Sequence, residues 1–124
     1  MLDQKTKPKL LIVDDDELIR NALSKLLRQE FNIDSVDDAS KVVESITNGS
    51  YDVVLSDIEM PIMTGDEMYF LVKEKNEKMS KRILFMTGGT SRKEAINLLK
   101  KVNWVPKPFD TQKLKNLLIE KTKC

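Results

Sequence analysis

Three uninterrupted apolar runs constrain the fold of this 124-residue chain more than any other feature: Leu10-Leu11-Ile12-Val13, Val53-Val54-Leu55 and Ile83-Leu84-Phe85-Met86. A strand with one wet face alternates apolar and polar residues, whereas a continuous run needs cover on both faces. Two further runs, Ile33 to Val36 and the brief Trp104-Val105, bring the number of expected strands to five. Between them lie stripes with helical spacing. Leu18, Ile19, Ala22, Leu23, Leu26 and Leu27 form the first. Val42, Val43 and Ile46 form the second, stopped by Asn48-Gly49. Met68, Leu71 and Val72 form the third, Ala95, Leu98 and Leu99 the fourth, and Leu114, Leu117 and Leu118 the fifth. Strand then helix, five times over, predicts a parallel sheet with helices on both faces. No repeat, low-complexity tract or linker interrupts it, so residues 1–124 are expected to form one domain. Its core should run from about 9 to 121, with short polar tails.

Ligands of such sheets sit at the carboxyl ends of the strands. Asp14, Asp15, Asp16 and Glu17 follow the first run, Ser56-Asp57 the third, Thr87-Gly88-Gly89 the fourth, and Lys107-Pro108 the fifth. Acids, a hydroxyl and an amine should therefore converge on one edge. Composition narrows what they can do. The chain has no histidine and a single cysteine, the terminal Cys124. That excludes Ser-His-Asp and Cys-His catalysis, His-ligated metals, zinc-cysteine sites and CxxC redox pairs. Carboxylate, hydroxyl and amine remain, the set that suits Mg²⁺ and phosphate.

Each of these residues also has a plain structural use. Asp16 is well placed to cap the first helix, and a Thr after a strand often only finishes a turn. Asp14, Asp15 and Asp57 together are harder to dismiss. Two unit charges about 4 Å apart repel by about 4 kcal/mol at an effective dielectric of ~20, so a proton or a cation must intervene. Lys107 stands between Pro106 and Pro108, which stiffen the backbone on both sides. Gly88-Gly89 lets the backbone beside Thr87 approach a ligand or take a positive φ.

Four motifs in this order resemble those of response-regulator receiver domains of two-component signalling. They are Leu11-Ile12-Val13-Asp14-Asp15, then Ser56-Asp57-Ile58-Glu59-Met60-Pro61 with Thr64-Gly65, then Phe85-Met86-Thr87-Gly88, then Lys107-Pro108-Phe109. The resemblance covers roughly residues 9–121. It implies the flavodoxin-like fold, a (βα)5 doubly wound parallel sheet of strand order 2-1-3-4-5, for which a receiver protein is itself a stock example. It implies that Asp57 is the phosphoacceptor and that Asp15, Asp57 and the backbone carbonyl of Glu59 hold Mg²⁺, with Asp14 assisting. It implies that Thr87 and Lys107 contact the phosphoryl oxygens and that the Lys107-Pro108 bond is cis. Trp104, the only tryptophan, occupies the position of the family's switch aromatic, coupled to Thr87. A half-buried core residue is the plain reading of Trp104.

The same resemblance implies partners. A histidine kinase or histidine phosphotransfer protein supplies the phosphoryl group, since this chain has no histidine of its own. A downstream output protein or domain reads the face formed by the fourth helix, fifth strand and fifth helix (α4-β5-α5 of the family). A homodimer through that face stays open. The chain is expected to catalyse only its own phosphorylation and dephosphorylation, as a free-standing receiver or the receiver of a hybrid histidine kinase. Residues 1–72 carry 7 basic and 15 acidic side chains, residues 73–124 carry 14 and 5. The basic half is either a partner-facing surface or a solvated one. Aromatics are not interleaved with its lysines, so nucleic acid is not expected as a direct partner. No run approaches the ~20 apolar residues of a membrane span, and the start lacks a signal-peptide stretch, so a cytoplasmic home is expected.

Several positions depart from the family pattern. Pro106 should shorten or distort the fifth strand, Leu99 to Asn103 lacks the usual Gly-Ala, and Glu59 and Gly89 stand two residues past Asp57 and Thr87. Two alternatives compete. Asp14 and Asp16, with Thr87 and Lys107, can be set on the order used by haloacid-dehalogenase-type phosphatases. That leaves the loop at Asp57 to Pro61 unexplained. A receiver-fold interaction module that is never phosphorylated is the other, and the presence of every key residue counts against it.

Overall fold

The structure, a computed structural model, describes residues 7–108 and 110–123; Phe109 of the last motif lies outside them. Five strands form one parallel sheet: β1 (Lys9–Val13), β2 (Asn32–Val36), β3 (Val53–Asp57), β4 (Ile83–Thr87) and β5 (Trp104–Pro106). Their order is β2-β1-β3-β4-β5, as the resemblance implied. The helices are α1 (Glu17–Leu27), α2 (Val43–Thr47) after a 3₁₀ turn at Ala39–Lys41, α3 (Gly65–Lys75), α4 (Glu77–Ser80), α5 (Lys93–Leu99) and α6 (Thr111–Lys121).

The apolar runs feed two cores. On one face Leu11, Val13, Val54, Ile83 and Phe85 pack against Ile46, Met68, Val72, Ala95 and Leu98 of α2, α3 and α5. On the other, Leu10, Ile12, Val53, Leu55, Leu84, Met86 and Val105 pack against Leu23 and Leu27 of α1 and Leu114 and Leu118 of α6. Successive strand residues point to opposite faces, so both cores draw on the same run and it must be continuous.

Three details differ from the sequence reading. The first stripe is narrower: Leu23 and Leu27 are buried and Ile19 partly so, while Leu26 is exposed and Leu18 is 79% exposed. Positions 18, 22 and 26 lie one residue, and thus about 100°, away from the inward line 19, 23, 27. Leu71 is exposed for the same reason, and Tyr69 is buried instead. Finally α4, a single turn capped by the Asn76 side chain on the Met79 N–H, adds a helix that no stripe announced. The expected fourth and fifth helices are therefore α5 and α6. Among the described residues no helix is long and apolar enough to cross a membrane.

Candidate functional site

Register brings the strand ends level. Val13 pairs with Ser56, Asp57 with Met86, and Thr87 with Pro106. The step beyond β1 thus sets Asp14 beside Asp57. Pro106 ends β5 after three residues, and the ladder closes with the Lys107 N–H donating to the Thr87 carbonyl at 2.9 Å. β5 is an edge strand, where a proline costs no inward donor. The Lys107-Pro108 bond is cis.

Lys107 Nζ lies 3.0 Å from Asp14 Oδ2 and 3.3 Å from Asp57 Oδ2, bridging the two carboxylates. The Asp14 side chain is fully buried. Its other oxygen accepts the Asp16 N–H at 2.9 Å, and its carbonyl accepts Arg20 NH1 at 2.6 Å. Asp57 Oδ1 accepts the Ile58 N–H at 2.8 Å. Burial pushes the Asp57 carboxyl above the usual range and Asp14 adds to it, against the pull of Lys107. Burial works against the Lys107 ammonium too, yet Asp14 and Asp57 outweigh it and hold Lys107 above the ordinary lysine value.

One oxygen each of Asp14, Asp15 and Asp57 can be chosen so that all lie within 4.8 Å of one another. The donor set fits Mg²⁺: hard oxygens, two buried acids, and an exposed Asp15 that leaves the rest of the sphere to water. Asp14 and Asp57 each have donors on both oxygens, so the exposed Asp15 is the readiest ligand. Asp16 stands apart from them and caps α1, accepting the Leu18 N–H at 2.9 Å. Asp16 thus has the capping role that the sequence offered for it. Thr87 is buried and its Oγ1 accepts the Gly89 N–H at 3.0 Å; Gly89 takes φ +131°. Trp104 is 42% exposed and shares with Thr87, Gly88, Ile96 and Lys107 a cavity of about 390 Å³.

The β3–α3 loop is held by features that spacing alone does not announce. A methyl group at Gly65 would run into the Asp57 carbonyl oxygen, so only glycine lets α3 start this close to the acceptor. Thr64 and Glu67 form a reciprocal cap at that helix start. Ile62 takes φ 70°, and the Met63 N–H donates to the Pro61 carbonyl at 2.8 Å, a γ-turn of the strained, positive-φ kind. The Glu59 side chain points to a different partner. Arg92 Nε donates to Glu59 Oε1 and Oε2 at 2.9 and 3.1 Å, and the Thr90 hydroxyl also donates to Oε1. The two terminal nitrogens of Arg92 reach Asp66 at 3.1 and 2.6 Å. Nothing in the sequence pattern singles out Arg92 or Asp66: an acid in a first helical turn is ordinary, and partners 26 and 33 residues away are set by the fold.

Comparison with known proteins agrees with this geometry. The family model described as "Response regulator receiver domain" matches residues 10–119. The chain is 32% identical over 111 residues to the chemotaxis protein CheY of Pseudomonas aeruginosa, covering 86% of this chain and 90% of CheY. It is 27% identical over 114 residues to the sensor histidine kinase TmoS of Ectopseudomonas mendocina, covering 90% of this chain but 12% of TmoS. The fold matches the receiver domain of the Pseudomonas aeruginosa sensor histidine kinase PA1611, solved with magnesium coordinated in its active-site cleft. The TM-score is 0.81 at 20% identity, over 96% of this chain and all of that one. With a family match over nearly its whole length, the chain belongs to the response regulator receiver domains of two-component signalling.

Proposed function

We propose that this chain accepts a phosphoryl group on Asp57 from a phosphohistidine of a histidine kinase or phosphotransfer protein. The observation that carries this is the Lys107 ammonium bridging Asp14 and Asp57 at the carboxyl edge of the sheet, with Asp15 beside them. In the transfer, an Asp57 oxygen forms the new bond to phosphorus while the phosphorus–nitrogen bond of the donor breaks and the imidazole leaves with its electron pair. Asp15, Asp57 and the Glu59 carbonyl, with Asp14 assisting, would hold Mg²⁺, which when bound would supply positive charge against the phosphoryl oxygens. Lys107 holds the acceptor carboxylate ready and can turn its remaining donors to an incoming oxygen. The Thr87 hydroxyl, at the end of the neighbouring strand, is placed to donate to another. The raised Asp57 pKa, caused first by burial, fits a carboxylate whose charge a bound cation would favour. The reaction modifies the chain itself, and no free substrate is turned over.

The output we propose runs from Thr87 to Trp104 and on to the α5-β5-α6 face. The cavity between the two residues supports it, because a ring can enter as the hydroxyl is drawn toward the phosphoryl group. Ile96, Trp104 and Ile119 leave apolar surface on that face for an output protein or a second copy. The proposed setting is the cytoplasm. Labelling with radioactive acetyl phosphate and Mg²⁺ tests the core of the proposal. Wild type should take up one phosphoryl group and Asp57→Asn none, and equal labelling of the two would overturn the assignment. Trp104 fluorescence with beryllofluoride and Mg²⁺ tests the switch; an unchanged spectrum would separate Trp104 from it.

A further inference from the structure

We propose that Arg92 is a positioning residue for the acid cluster: it neutralises the Glu59 carboxylate and holds it away from Asp14, Asp15 and Asp57. Glu59 stands two residues past Asp57, close enough along the chain to become a fourth acid at the cation position. Its carboxylate faces a different way. Both oxygens are taken by Arg92 Nε and one also by Thr90. The opposite edge of the same guanidinium grips Asp66 through two further hydrogen bonds. The Asp66 side chain is 4% exposed, which fixes the anchor from which Arg92 reaches Glu59. A planar guanidinium can present two paired edges to two carboxylates, and a lysine ammonium cannot. The anchor is electrostatically sound: burial works against the Asp66 anion, yet the bonds from Arg92 and Thr64 keep its carboxyl below the usual range.

Arg92 and Thr90 lie on the segment between β4 and α5, directly after Thr87. The clamp therefore also ties that segment to the loop that follows Asp57. With Glu59 neutralised, the cation position carries the charge of three acids and Lys107; with Glu59 released it carries one negative charge more.

The inference rests on the acid cluster being the cation site proposed above, and the test separates the two. Mg²⁺ binding is measured calorimetrically at low salt for wild type, Arg92→Ala, Glu59→Gln and the double variant, with a melting curve for each. Arg92→Ala should bind Mg²⁺ about fourfold tighter, the effect of one unit charge about 10 Å from a divalent ion in water. The double variant, which restores the net charge, should return to within about twofold of wild type. Both Arg92 variants should melt lower, because Asp66 is left buried without its partner. A purely structural tether would give the lower melting without the gain in affinity or its reversal. Unchanged or weaker Mg²⁺ binding by Arg92→Ala overturns the inference, as does a gain that survives Glu59→Gln. If Arg92→Ala does not fold, the same comparison is made in Asp66→Asn, where no buried anion is stranded. No Mg²⁺ binding by wild type overturns the cation site and this inference together, whereas binding by wild type with no response in the variants overturns this inference alone.

Discussion

Replacing Asp57 by asparagine should abolish phosphorylation and, without divalent cations, make the protein more stable. Lys107 lies 3.3 Å from Asp57, an attraction of about 5 kcal/mol at an effective dielectric of ~20. Asp14 and Asp15 offer oxygens within 4.8 Å, and each repels Asp57 by about 3.5 kcal/mol on the same scale. The balance is unfavourable by about 2 kcal/mol before desolvation, which acts in the same direction. The raised Asp57 pKa has the same sign. Asparagine keeps the shape and the acceptor for the Ile58 N–H while removing the charge. At about 2.1 cal/mol/K of unfolding entropy per residue, 2 kcal/mol raises the melting temperature of a chain this size by about 8 °C. Mg²⁺ at ten times its dissociation constant should stabilise wild type by about 1.4 kcal/mol, or about 5 °C, and the variant far less. The pH dependence has a definite sign. The anion's cost is present above the folded-state pKa and disappears as pH falls through that value toward the unfolded 3.8, so the advantage of asparagine should shrink on acidification. Thermal melts followed by circular dichroism in EDTA and in Mg²⁺ read all of this. An Asp57→Asn protein that melts below wild type in EDTA, or that responds equally to Mg²⁺, would refute the reasoning.

Three further outcomes follow from the site. Lys107→Met should cost about 3 kcal/mol at neutral pH by stranding the buried Asp14. Because the folded Lys107 pKa is raised above 10.5, that deficit should persist through neutral pH and fade as pH rises through the folded value; denaturant titration across pH checks both. Gly65→Ala should destabilise by about 1–3 kcal/mol and weaken Mg²⁺ binding, since the added methyl displaces the Asp57 carbonyl; calorimetric titration measures the second effect. Ile62→Gly should gain about 1 kcal/mol in urea denaturation, because the strained φ is relieved and the side chain, 82% exposed, has little packing to lose.

What the sequence reveals and what it hides divide along physical lines. The strands β1, β3 and β4 are legible because two-sided burial forces unbroken apolar runs, and the acids and lysine that follow them then fall on one edge. The family motifs add the strand order, which apolar periodicity cannot supply. Burial on α1 is overcalled because Leu18 and Leu26 have the right chemistry at the wrong angle, and helical spacing distinguishes an adjacent line only when a polar residue breaks it. The Arg92 clamp is hidden for another reason. A charged pair announces itself in sequence only at helical or cross-strand spacing. Arg92 meets Glu59 and Asp66 because the β4–α5 segment and the β3–α3 loop share an edge. The positive φ at Ile62 is hidden because an isoleucine is among the residues least expected there.

The same edge treats its charges in two ways, and the difference follows from geometry. Glu59 and Asp66 share one positive charge, but the Arg92 donors reach both carboxylates, so their oxygens are hydrogen-bonded within the protein. Asp14 and Asp57 also share a single cation, and Asp15 adds a third acid that has no cationic partner among the ion pairs of the described residues. Three acids against one ammonium leave a deficit of positive charge beside the proposed acceptor carboxylate. That deficit is where a divalent ion would gain the most, and the proposed acceptance of a phosphoryl group would then depend on the ion's presence.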